Sequence, residues 1–258
     1  MCLSAPELGN FCMLSLEHFY FLRLLISRLI ITSLNRTART MNKFPPTKHS
    51  KVRRIPNRGH YDKETIYPIL DEGFVCHLGF IFEDRPFVIP TAYGRSGDKI
   101  YLHGSSVSRM MRELSKSVDV CITVTLVDGL VLARSIFHHS MNYRSVVILG
   151  KAILLEDEEE KILALKAFSD HVLPGRWDDV RQPSKKELKA TSVLSVEIVE
   201  ASAKVRKGDP VDDEEDLNID TWSGTIPLTL TAGNAIPAAN LQEGVLPAPN
   251  ILAYQKRR

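Results

Sequence analysis

The chain has 258 residues, 44% of them hydrophobic and 25% charged, with a formal net charge of +2. Those values are ordinary for a globular protein and allow one large domain or two small ones. So small a net charge gives no reason to expect a nucleic-acid partner.

The first forty residues stand apart. Phe11 to Leu34 is rich in Phe, Leu and Ile, but Glu17, His18, Arg23 and Arg28 interrupt it, and no uncharged stretch is long enough for a membrane span. Between Glu17 and Asp62 there is no acid, while Arg23, Arg28, Arg36 and Arg39 recur among Ser and Thr. That pattern resembles a mitochondrial transit peptide. The reading we favour is a dispensable leader over 1–40, with the folded protein beginning near Met41. A basic arm follows over 41–61, in which Lys43, Lys48, Lys51, Arg53, Arg54 and Arg58 have no acid among them, as in a solvated segment.

The main body is expected over 62–228. Asp62 to Glu72 has an N-capping Asp and Ile66, Ile69 and Leu70 on one face, so it predicts a helix that Pro68 weakens and Gly73 ends. Phe74 to Phe82 is almost continuously apolar, as in a strand buried on both faces. Strands are also predicted at Phe87 to Ile89 and Ile100 to His103, with a turn at Gly94 to Asp98 between them. Ser106 to Ser115 has helical spacing. Val118 to Leu126 alternates strictly, and Asp128-Gly129 signals a hairpin leading into Leu130 to Phe137. Ser145 to Leu155 and Ser192 to Val205 read as further strands. Asp157 to Val172 reads as a helix opened by three glutamates, and Ser184 to Glu187 as a capping box. Strands in hairpin order with short helices between them predict a mainly β, antiparallel barrel with peripheral helices. No Gly-x-Gly-x-x-Gly follows a strand, which disfavours a doubly wound fold. A Pro-rich tail occupies 229–258.

Four cysteines, Cys2, Cys12, Cys76 and Cys121, show no metal-site spacing. Cys76 and Cys121 lie in apolar runs and read as reduced core residues, which points to a reducing, cytoplasmic compartment; a mitochondrial one is the alternative if 1–40 is a transit peptide. His138-His139 lacks partners for a zinc site, and Asp212 to Asp216 reads as a solvated loop, so no metal is expected.

The stretch with most chemistry is Tyr101 to Arg112. A strand ends at His103, Gly104 frees the turn, and a helix starts near Ser105. Unpaired amides at a helix start, hydroxyls at Ser105, Ser106 and Ser108 and the cation of Arg109 together make a phosphate cradle. Serines are equally ordinary helix caps, and Arg109 an ordinary solvated residue.

Four motifs in order resemble the pyridoxamine 5′-phosphate oxidase family, and most closely its flavin-binding branch related to nitroimidazole-resistance proteins. They are Pro90-Thr91-Ala92-Tyr93-Gly94, Ile100 to Gly104 followed by Ser108-Arg109-Met110, Tyr143-Arg144-Ser145-Val146 with Gly150-Lys151, and Trp222 to Leu228. The resemblance implies a split β-barrel that binds flavin mononucleotide (FMN) as a homodimer. It implies cofactor contacts at Pro90, Thr91, Tyr93, Tyr101, His103, Ser105, Ser108, Arg109, Met110, Arg144, Ser145 and Trp222. It also puts His103 beside the flavin, where a proton-relay role is open to it, as is that of a satisfied barrel histidine. Strands apolar on both faces support the dimer.

The departures are specific. The oxidases carry an additional Arg and Lys on an earlier strand, and Pro86 to Thr91 has neither. Met110 replaces the Lys of their Ser-Arg-Lys, so Arg53, Arg54, Arg58, Arg112 or Arg144 would have to supply the missing charge. No C-terminal Arg-x-His element is present to hold pyridoxal substrates. The implied function is therefore a flavin-dependent oxidoreductase acting on an unidentified small molecule. A non-catalytic flavin carrier or sensor and a haem-binding split barrel are the rivals.

Overall fold

A computed structural model describes residues 42–254, so the expectations for 1–40 lie outside the described residues. From Phe44 onward the chain builds ten strands and six helices: β1 (Gly59–His60), α1 (Lys63–Glu72), β2 (Val75–Phe82), β3 (Arg85–Ala92), β4 (Gly94–Ser96), β5 (Lys99–Ser105), α2 (Arg109–Leu114), β6 (Asp119–Leu132), β7 (Ser140–Leu154), α3 (Glu158–Val172), α4 (Arg176–Asp179), α5 (Lys185–Ala190), β8 (Thr191–Glu197), β9 (Glu200–Arg206), β10 (Gly224–Pro227) and α6 (Pro249–Tyr254). No helix among the described residues is long and apolar enough to cross a membrane.

The pairings are antiparallel, in the order β3-β2-β6-β7-β8-β5-β4, with β9 on β7, β1 on β9 and β10 on β6. The two ends of that path, β3 and β4, are consecutive in the chain but not hydrogen-bonded. The sheet therefore curls into an open, split barrel. β7 bifurcates it, pairing with β9 over Tyr143–Leu149 and with β8 over Ala152–Leu154. One apolar core fills the curl, with Ile66, Leu70, Leu78, Leu102, Ile122, Ile148 and Leu194 at its centre. A smaller cluster of Leu155, Ala164 and Val193, joined by Tyr101, seats α3 on the outside of the barrel.

The helix signals act as their local chemistry dictates. Asp62 accepts from Thr65 N at 2.8 Å, Asp157 accepts from Glu160 N at 2.9 Å, and Ser184 and Glu187 form the reciprocal box. Four expectations need correction. Phe74 to Phe82 is buried on one face only in the single chain: Cys76, Leu78 and Phe80 point inward, while Val75 and Ile81 are 50% and 61% exposed. Asp128-Gly129 is not a hairpin turn. β6 runs through it to Leu132 with a bulge between Val127 and Gly129, because β10 pairs across that stretch, and a Cβ at Gly129 would lie 2.9 Å from Ile226 O. Ser192 to Val205 is two strands, broken where Ile198 N donates to Asp98 O at 2.7 Å. The helix expected from Ser106 begins only at Arg109, since Ser106 N is drawn to Ala190 O at 3.0 Å.

The segment read as a basic arm packs on the barrel. Phe44 is buried in the core, its N–H donates to Tyr61 O at 2.7 Å, and β1 pairs with β9.

Candidate functional site

β5 alternates sides as a strand must. Ile100 and Leu102 enter the main core; Tyr101 and His103 face α3 instead. At its end Ser105 is exposed, Ser108 N closes a turn onto Ser105 O at 2.9 Å, and α2 starts at Arg109. The Ser108 hydroxyl makes no capping bond, so it remains available to a ligand. Arg109 is exposed, and its guanidinium has no ion-pair or hydrogen-bond partner among the described residues. It lies 5.7 Å from the ring centre of Phe82 and 5.2 Å from that of Phe87, across the split of the barrel. The aromatic faces hold the cation without neutralising it. β3, which carries Phe87, also presents Pro90, exposed, and Thr91, half-buried. Met110 packs against the core beside this turn.

The turn thus gathers Ser105, Ser108 and Arg109, with Pro90 and Thr91 on the strand that Arg109 covers. Other residues expected at the cofactor lie elsewhere. Tyr93 is fully buried, its hydroxyl donates to Leu70 O, and burial raises its pKa, so its side chain cannot contact a ligand. Tyr101 packs into the cluster beneath α3. His103 stacks edge-on against Phe168 at 4.3 Å between ring centres. Its Nδ1 is buried without a partner, and burial lowers its pKa, which keeps the ring neutral. Arg144 is held by Asp128 at 2.7 and 2.9 Å and by Glu72 at 2.6 and 2.9 Å, and these two carboxylates raise its pKa. Its charge is already matched, which removes it as a replacement phosphate cation. Ser145 donates to Lys204 O at 3.3 Å on the outer sheet face.

Trp222 is 65% exposed and folds over Gly224, just before β10, which pairs with the Gly129–Leu132 end of β6. α2 precedes the other end of β6, a strand of 14 residues. At roughly 3.3 Å per residue that separates the two by on the order of 40 Å along the strand. Within one chain Trp222 and Arg109 do not share a site. Near Trp222, His138 Nε2 lies 2.9 Å from Asp213 Oδ2, so the histidine pair and the acidic run, far apart in sequence, meet at this end.

Sequence reasoning missed two features. Phe82 and Phe87 as the platform beneath Arg109 had a signal in the aromatic positions of adjacent strands. The second is a groove of about 770 Å3 on the outer sheet face, lined by residues of β2, β3, β6, β7 and the start of β9 together with His49 and Val199. No local pattern marks that groove, because it is assembled from five strands and two loops.

The family model for pyridoxamine 5′-phosphate oxidase matches residues 62–205. Among solved structures, the chain is similar to the flavocytochrome Anf3 from Azotobacter vinelandii, at 41% identity and a TM-score of 0.77 over 81% of this chain and 97% of that one. It is also similar to the FAD- and haem-binding protein from Mycobacterium smegmatis, at 30% identity and a TM-score of 0.74 over 76% of this chain and 97% of that one. No curated protein matches it.

Proposed function

The chain belongs to the pyridoxamine 5′-phosphate oxidase family, and from that premise we propose that it is a flavin- and haem-binding oxidoreductase. The observation that carries the flavin is the unpaired Arg109, beside the uncommitted Ser108 hydroxyl at the split of the barrel. In this reading the two hold the flavin phosphate while Pro90 and Thr91 border the ring. A bound flavin supplies two-electron redox chemistry on a small molecule, with reduced nicotinamide as a candidate donor; the protein orients and shields it.

FMN, the sequence expectation, and FAD present the same ring and the same first phosphate. We favour FAD. The terminal phosphate of FMN carries close to two negative charges near neutral pH. The two phosphates of FAD are joined as a pyrophosphate with a single charge on each, so the same total is spread over two groups. The turn offers two cations with no acid partner among the described residues, Arg109 and Arg112, the latter donating to Val107 O; Arg144 is committed, and Met110 supplies none. The preference rests on the relative from M. smegmatis, which is an FAD- and haem-binding protein. Haem enters the reading from the same two relatives.

A homodimer belongs to this reading. Val75, Ile81 and Val88 leave an apolar outer face 50%, 61% and 65% exposed, which a second protomer would cover. The separation of Trp222 from Arg109 means that both could border one flavin only across such an interface.

The test is the absorption spectrum of the purified protein, followed by titration of apoprotein with FAD and FMN and sedimentation at micromolar concentration. The expected result is a dimer showing flavin and Soret bands, with FAD bound more tightly. Equal or tighter FMN binding would overturn the preference for FAD; no uptake of either would overturn the flavin reading.

A further inference from the structure

We propose that the apolar tip between β6 and β7, formed by Ile136 and Phe137, is an anchor that seats in the outer-face groove of a second copy of the chain. The inference rests on the homodimer reading above and assigns the parts of the two protomers that meet.

Tip and groove are each unmatched in one chain. Ile136 and Phe137 are 82% and 84% exposed. They are nonetheless held in place. Phe137 N donates to Ser135 Oγ at 3.3 Å, the Phe137 ring meets His138 edge-on at 5.1 Å, and His138 is tied to Asp213. Apolar side chains fixed in position yet left to water mark a contact surface. The patch continues behind the tip, where Ile226, Leu130 and Met141 stand side by side across β10, β6 and β7, all exposed.

The groove, of about 770 Å3, is walled by Gly79, Ile81, Val88, Cys121, Leu149 and Val199. Gly79, Cys121 and Leu149 lie in one row across β2, β6 and β7. With no side chain at Gly79, the floor sinks where a ring can enter. An aromatic side chain in such a recess is the usual anchor of a protein interface. The two carboxylates that line the groove have partners within the chain: Asp119 faces Lys151 at 3.8 Å, and Glu200 accepts from the Thr47 hydroxyl.

The occupant is a second copy for three reasons. Tip and groove lie at opposite ends of β6, a strand of 14 residues, on the order of 40 Å apart at roughly 3.3 Å per residue, so no chain fills its own groove. A two-fold axis across the strands at their midpoint sets each tip over the other's groove, and one contact implies its twin. The face between the ends suits that packing. Thr123 lies opposite Val147 and Thr125 opposite Ser145, short side chains that let two sheets approach to about 10 Å. At about 4.8 by 3.3 Å per residue, the outer face of β2, β3, β6, β7 and β9 offers on the order of 800 Å2, the area each partner buries in a standard interface. Charge agrees as well. Glu214 and Glu215, next to the Asp213 that holds the tip, are exposed, as are Lys48 and Lys51 on either side of His49 at the groove. None of the four has an ion-pair partner among the described residues.

The test is sedimentation of the full-length protein as wild type, Phe137→Asp and Leu163→Asp, together with thiol cross-linking of Phe137→Cys by a short bis-maleimide. Phe137 lies outside the core, so Phe137→Asp should keep the wild-type circular dichroism. Its dimer dissociation constant should rise by about thirtyfold or more, as loss of an interface anchor does. Leu163 is also apolar and exposed, but on α3, which packs on β4 and β5, so Leu163→Asp should match the wild type. Phe137→Cys should be joined to the partner's Cys121, at a yield that falls to the wild-type level when Cys121→Ser is added. A monomeric wild type would overturn the homodimer reading and this inference with it. If the wild type is a dimer and Phe137→Asp leaves its dissociation constant unchanged, or the cross-link does not depend on Cys121, the seating of the tip is overturned while the dimer stands.

Discussion

The turn between β5 and α2 and the layer beneath α3 both grow from β5, within a few residues of each other, and they treat their polar groups in opposite ways. In the turn, Ser108 caps nothing and Arg109 pairs with no acid. In the layer, Tyr93 gives its hydroxyl to Leu70 and His171 bonds Gly73 O, while His103, shut against Phe168, is the exception whose Nδ1 is left without a partner. A polar group already matched inside a fold is structural; one held in place but unmatched can recognise a ligand. Type and spacing in the sequence do not separate the two cases.

The largest effect expected comes from prising the layer apart. A methyl group at Gly94 would overlap Phe168 Cα and lie 2.9 Å from the Phe168 backbone nitrogen, with no flexible side chain to yield. Gly94→Ala should therefore cost about 3 kcal/mol or more of stability, read from urea denaturation. A loss under about 1 kcal/mol would mean that α3 does not press on β4 as described.

Next come two substitutions that should separate the regions. Arg109→Ala should weaken flavin about ten- to a hundredfold, as loss of a charge-assisted contact of roughly 1.5–3 kcal/mol does, and leave the denaturation midpoint unchanged. Tyr93→Phe should do the reverse, costing about 1 kcal/mol of stability with flavin affinity intact. Isothermal titration beside denaturation measures both. If Arg109→Ala destabilises the fold without touching affinity, the contrast between turn and layer fails.

The smallest effect should appear with pH. Burial holds His103 and His171 below their ordinary value of 6.5. Depressed values in the folded chain mean that their contribution is complete above 6.5 and is lost as pH falls through the lower folded values. His138 has the opposite sign. The hydrogen bond to Asp213 raises its pKa, so its contribution is present below 6.5 and is lost as pH rises through the raised value. Acidification from about pH 7.5 to about pH 5 should thus speed amide exchange in α3 and spare the segment around His138. Uniform protection across both would contradict the assignment of the two histidine environments.

Much of the architecture was legible in the sequence where the cause is local. Asp62, Asp157 and Ser184 mark helix starts because a side chain reaches an amide only three residues away. Alternation in Val118 to Leu126 names the inward face of β6, because a strand's side chains change sides at every residue. The succession of strands along the chain and the position of the Ser108-Arg109 turn follow from such patterns together with the family motifs, whereas their order in the sheet does not. What the sequence left undecided depends on partners brought from far along the chain. Asp128-Gly129 has the composition of a turn, yet β10, nearly a hundred residues later, pairs across it and keeps it in the strand. Arg144 has the charge of a phosphate ligand, yet Glu72 and Asp128 neutralise it. His49 sits in a basic run that reads as solvated, yet Thr47 ties its loop to Glu200 and sets it beside an apolar groove. Backbone geometry fixes neighbours a few residues apart, so a sequence can announce them. Which charge is matched and which is left free is an outcome of packing elements distant in the chain, and only the tertiary structure brings those elements together.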